Sequence, residues 1–134
     1  MIEGQRKSTH PLTPGSALVR WLPVIAWMAL IFTLSAQSRV PQLPQPTLDV
    51  LLKKAGHFTE YAILATLIWR ALDWRRRAWI WAWLLAVLYA GTDEWHQRFV
   101  TNRHSNIWDV VIDACGAATA LVVVWLITRH RHGA

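Results

Sequence analysis

Ionisable and polar side chains gather at three places in this chain, each time at helical spacing. His57, Glu60 and Tyr61 stand at i, i+3 and i+4, so a helix presents all three on one face. Asp93, His96 and Gln97 repeat that spacing, while Glu94 is rotated by about 100° and faces Arg98 at i+4. Asn106, Asp109, Asp113 and Gly116 form a third face, at steps of three, four and three. Lys53, Lys54, Arg98 and Arg103 stand beside these acids. Three kinds of chemistry suit such a set. The cations can hold a phosphate or pyrophosphate, arginine as a fork and lysine as a point charge. His57-x-x-Glu60, Asp93-x-x-His96 and Asp109-x-x-x-Asp113 have ligand spacing for a metal in a helical bundle. The charges can also simply neutralise one another and pin the helices together.

The elements that carry these faces are apolar. Of the 134 residues, 54% are apolar and 16% charged, against about 25% charged in a soluble domain. That composition excludes disordered and collagen-like classes, and a single cysteine excludes a disulfide scaffold. Four blocks, at about 18–36, 54–72, 78–97 and 106–128, are each near the ~20 residues that cross a bilayer. Backbone groups in lipid must be bonded internally, so the expected fold is an all-α, four-span transmembrane bundle. Residues 78–90 are apolar on every face and leave no polar stripe for water. Several of the ten tryptophans, including Trp21, Trp74, Trp95, Trp108 and Trp125, fall near block ends as an aromatic belt requires. Flanking the domain at 18–128 are a flexible arm at 1–17 and a basic tail at 129–134. The first block also admits a signal-peptide reading, with Ala36-Gln37-Ser38 as the cleavage site, although its run is long for one.

With four spans, both termini share a side with the turn at 73–77. That side carries eight cations: Arg6, Lys7, Arg20, Arg75, Arg76, Arg77, Arg129 and Arg131. The other has five: Arg39, Lys53, Lys54, Arg98 and Arg103. The excess predicts that both termini lie in the cytoplasm. All three polar faces then lie at the outer ends of their helices, where they converge on one pocket beneath Lys53, Lys54 and Arg103. The arginine triplet is a topology signal, and no nucleic-acid partner is expected. Ala114, Cys115, Gly116, Ala117 and Ala118 read as a small-residue seam, with Cys115 an inert core thiol. Trp79, Trp81 and Trp83 cannot all face one direction and are expected to face lipid and the inner interface.

The motifs resemble those of the VanZ-like family. They are Lys54-Ala-Gly-His57-Phe-Thr-Glu60-Tyr61, Asp93-Glu94-Trp-His-Gln97-Arg-Phe99, Arg103, and Asp109 with Asp113 and Gly116. The resemblance covers residues 20–128, and Ser35-Ala-Gln37-Ser38 is similar to that family's first-span ending. It implies a small bacterial integral membrane protein of a family named for a member associated with teicoplanin resistance. It also implies that His57, Glu60, Tyr61, Glu94, Gln97, Arg103, Asp109 and Gly116 are motif positions. Two departures stand out. Thr101-Asn102 replaces the family's Pro-Gly, and Asp113 replaces a frequent asparagine, making the pocket more anionic.

The expected function is binding or shielding of an anionic cell-envelope ligand in an outward-facing pocket. The candidates are membrane lipids, a lipid-linked cell-wall intermediate or a glycopeptide. Its ligand-binding residues are Lys53, Lys54, His57, Glu60, Tyr61, Asp93, Glu94, Gln97, Arg98, Arg103, Asp109 and Asp113. No catalytic residue, metal or cofactor is assigned. One alternative is a metal-assisted enzyme acting on a phosphorylated lipid, and another a structural or partner-binding subunit. The chain has no Gly-x-Ser-x-Gly elbow and no Walker loop.

Overall fold

The computed structural model describes residues 14–37, 44–101 and 105–131. These form four helices and no strand: α1 (Pro14–Ser35), α2 (Pro46–Ala71), α3 (Ala78–Gln97) and α4 (Ile107–Arg131). At 1.5 Å per residue the helices are roughly 30–39 Å long. Two segments, Ala17–Ser35 in α1 and Ile107–Arg129 in α4, are long and apolar enough to cross a membrane. α2 and α3 each give one end to ionisable residues and fall short by that measure.

α3 spans the expected 78–97, but α2 begins well before the expected residue 54. Pro46 is its first residue, where a missing N–H costs nothing and a fixed φ suits the helix. Asp49 in the first turn meets the positive end of the helix dipole and pairs with Lys53 at 2.5 Å. Pro14 likewise opens α1 within the range expected for the arm, whose residues 1–13 lie outside the described residues. α4 begins after Asn106, whose Oδ1 caps the helix by accepting the Trp108 N–H at 3.1 Å.

α2 packs against all three other helices and most extensively against α4. These two run parallel, since Lys54 meets Asp109, His57 meets Asp113 and Phe58 meets Gly116. A Cβ at Gly116 would run into the Phe58 carbonyl oxygen, so only glycine permits this approach. Ala117 beside it is fully buried. Cys115, expected in the core, is exposed instead. One residue is a turn of about 100°, and with Gly116 on the seam its predecessor rolls outward.

α3 is built inside out. Its buried residues are Ala78, Ala82, Ala86, Ala90, Asp93, Glu94 and Gln97, small or polar throughout. Its exposed ones include Trp79, Ile80, Trp81, Leu84, Leu85 and Leu88. Trp83 points differently from Trp79 and Trp81: it is half-buried, and its Nε1 reaches across to donate to the Ala114 carbonyl at 3.0 Å. Similar latches join α1 to α2, where Trp27 Nε1 donates to the Glu60 carbonyl at 2.9 Å, and α3 to α1, where Tyr89 Oη donates to the Met28 carbonyl at 2.7 Å.

The turn between α2 and α3 holds Asp73 and Trp74 in the left-handed region, at φ 65° and 53°. That conformation costs a non-glycine residue about 1–2 kcal/mol. It is braced by the Arg20–Asp73 ion pair at 3.1 Å and by the Trp69 Nε1 bond to the Arg75 carbonyl at 3.2 Å.

The close approach at residue 116 makes a differential prediction. Gly116→Ala must push α2 and α4 apart, at a cost of about 1–3 kcal/mol. Gly91→Ala, where an added Cβ would meet nothing within 4 Å, should be neutral or add about 0.5–1 kcal/mol through helix propensity. Thermal unfolding of the two variants in one detergent measures the difference.

Candidate functional site

The parallel pairing of α2 and α4 stacks oppositely charged groups along their seam. Lys54 Nζ donates to Asp109 Oδ1 at 2.9 Å, with both side chains partly exposed. One turn deeper, His57 Nδ1 lies 3.4 Å from Asp113 Oδ1, and Asp113 is only 2% exposed. Deeper still, Tyr61 is fully buried, its ring 6.3 Å from that of Tyr89. Tyr61 Oη has no hydrogen-bond partner among the described residues, while His57 Nδ1 and Asp113 Oδ1 face each other at ion-pair distance. Buried polar atoms without a hydrogen bond are costly and uncommon, so the Tyr61 hydroxyl stands out on this seam.

A second group joins α1 to α3. Buried Asp93 accepts from Ser35 Oγ at 2.5 Å and from Gln97 Nε2 at 3.1 Å. Ser35 is not among the residues that helical spacing marks for a site, and nothing in its local sequence points to this partner. Glu94 is also buried, and it accepts the Asn106 backbone N–H rather than pairing with Arg98. A free N–H at the start of α4 is a better partner for a buried carboxylate than a mobile arginine on the surface. Arg98 turns outward, its guanidinium 5.4 Å above the exposed Trp95 ring and its Nε donating to Ser105 Oγ at 3.3 Å. His96 stacks on Phe32 with ring centroids 4.4 Å apart, facing α1. Arg103 lies outside the described residues.

Between these groups a cleft of about 190 Å³ opens, and Ser35, Gln37, Lys53, His57 and Glu60 line it. Lys53 meets Asp49 on its own helix, as noted, and so brings a balanced charge to the rim. His57 is the member shared by the cleft and the seam, since it lines the one and pairs with Asp113 in the other. Of the twelve expected residues, Lys53, His57 and Glu60 therefore meet in one cleft. Lys54, Tyr61, Asp109 and Asp113 lie along the adjoining seam. Asp93 and Gln97 close the α1 side, and Glu94 ties down the start of α4.

For a metal, His57 and Glu60 share a cleft, but His96 turns away from Asp93 to stack on Phe32. Among the described residues, no three His, Cys, Asp or Glu side chains are grouped to hold an ion.

Four helices, two of them long and apolar enough to cross a membrane, with buried carboxylates gathered at one end, match the build of a small helical membrane protein. The chain belongs to the VanZ/LLP1 family, whose model matches residues 20–128. No curated protein and no solved structure matches it.

The Ser35–Asp93 bond predicts the behaviour of a small substitution. Ser35→Ala takes one donor from a buried carboxylate, and hydrogen bonds to charged groups contribute about 1.5–3 kcal/mol. Unfolding of purified Ser35→Ala protein should show a loss in that range, while Thr33→Ala, whose hydroxyl bonds its own helix on the exposed side, should stay close to wild type.

Proposed function

We propose that all four helices span a bacterial cytoplasmic membrane, with both termini in the cytoplasm, and that the cleft holds an anionic headgroup from the outer leaflet. The inside-out pattern of α3 carries the four-span reading. Water rewards burial of large apolar residues, whereas lipid is indifferent to them and lets small and polar residues take the interior. Exposed Leu88 and Trp81 facing outward while Ala82 and Ala86 face inward is the pattern lipid favours. Arg70, exposed in the last turn of α2, adds a ninth cation to the eight assigned to the inner side.

The size of the cleft narrows the ligand. About 190 Å³ accommodates a phosphate or pyrophosphate with part of a sugar, and is well below the ~300–1,000 Å³ of sites that enclose drug-sized molecules. A lipid-linked cell-wall intermediate supplies such a headgroup, whereas a whole glycopeptide would touch the rim only. In this reading Lys53 and His57 meet the phosphate, and Glu60 with Gln37 takes sugar hydroxyls. Asp113 holds the His57 ring from behind, so the seam orients a cleft residue without touching the ligand. The pairing of Lys54 with Asp109, and of Asp93 with Ser35 and Gln97, supports a second reading in which the polar end serves packing alone.

Two measurements address these readings. A fluorescent-protein reporter and an alkaline phosphatase reporter, each fused to the C-terminus, should give fluorescence and no phosphatase activity; the reverse pattern would overturn the topology. Binding of undecaprenyl pyrophosphate to detergent-purified protein should weaken about tenfold in Lys53→Ala and in Arg103→Ala. Wild-type affinity in both variants, with stability unchanged, would leave the packing reading.

A further inference from the structure

The end of the bundle opposite the polar cluster carries a second recess, where α4 faces the end of α2 and the turn at 73–77. Arg76, Trp125 and Arg129 line a cavity of about 520 Å³ there. Arg76 and Trp125 also line an adjoining cavity of about 600 Å³, which continues along Trp79, Trp83 and Leu121. The two cavities meet at Arg76 and Trp125, and the groove between α3 and α4 has arginine at this end and apolar and aromatic residues along its length. Arg129 lies 5.2 Å above the Trp125 ring, which holds the guanidinium at the mouth. Arg75, Arg76 and Arg77 are all exposed, and none meets an acid at ion-pair distance among the described residues. The acid of the adjacent turn, Asp73, is engaged by Arg20. The groove therefore joins uncompensated positive charge to an apolar channel of several hundred cubic ångströms.

We propose that this groove binds an anionic glycerophospholipid of the cytoplasmic leaflet, with its phosphate on Arg76 and Arg129 and an acyl chain along Trp79, Trp83 and Leu121. Charge complementarity selects the occupant. A zwitterionic lipid brings its own cation to a mouth that already has an excess, and a second copy of this chain would bring the same arginines against themselves. Arginine presents a planar fork to phosphate oxygens, and tryptophan sits at the headgroup boundary, so both residue types suit the depth at which they are found. The site is separate from the outer cleft and shares no lining residue with it. It rests on the membrane reading above, but not on the identity of the outer ligand.

The test uses full-length protein, extracted in detergent, stripped of lipid and titrated with phosphatidylglycerol or phosphatidylcholine of identical chains, with adducts counted by native mass spectrometry. The expected result is one phosphatidylglycerol retained at about tenfold lower concentration than phosphatidylcholine. That preference should vanish in the double variant Arg76→Gln, Arg129→Gln and persist in Lys53→Ala. Thermal unfolding of the same samples confirms that the double variant is folded, and Arg129→Lys should recover part of the preference. Equal retention of the two lipids overturns the proposal, as does a preference that survives in the double variant. A protein released from membranes by alkaline carbonate fails the membrane reading itself, and an integral protein without lipid preference fails only this site.

Discussion

The carbonyl oxygen of Phe58 occupies space that any side chain at position 116 would need, and there two parallel helices are drawn into near backbone contact. Much else in the molecule follows from that approach. It sets the rotation of α4, which puts Ala117 on the seam and Cys115 outside. It brings Lys54 within 2.9 Å of Asp109 and His57 within 3.4 Å of Asp113. Because both helices begin at this end, their dipoles add, and the acids of their first turns, Asp49 and Asp109, sit where that field favours them.

The two ends of the bundle then differ in kind. At one end, carboxylates are buried or half-buried and answered by donors from other elements: Asp93 by Ser35, Glu94 by the Asn106 backbone, Asp109 by Lys54. At the other end the arginines of the 75–77 turn stand exposed, and among the described residues they face no acid. On the four-span reading proposed above, the two ends would meet different aqueous phases, and this asymmetry would suit them. Paired acids cost little when partly desolvated, while unpaired cations anchor an orientation and attract anionic headgroups.

The helices were legible in the sequence where composition changes abruptly. The arginine triplet and the polar run from Asp93 bound α3, and its limits match the expected 78–97. The start of α2 was hidden because three prolines in 38–46 read as a break, whereas Pro46 begins a helix. The alanines at 78, 82, 86 and 90 recur every fourth residue, so the buried stripe of α3 was present in the sequence and masked by the larger apolar residues between them. Helical spacing correctly grouped His57 with Glu60, which share the cleft. Partners across helices are another matter. Whether Asp93 meets Ser35, or Glu94 meets Arg98, depends on crossing geometry and on competition from backbone donors, which spacing along one helix does not encode.

The three aromatic latches have a bearing on how such a protein can vary. Trp27, Trp83 and Tyr89 each donate to a main-chain carbonyl, of Glu60, Ala114 and Met28 respectively. A carbonyl is supplied by whatever residue stands at the position, so the acceptor side of every latch is indifferent to substitution. At residue 60 this separates two duties within one amino acid. The backbone fastens α1 to α2 while the side chain faces the cleft, leaving the lining of the cleft free to change without loosening the helices that frame it.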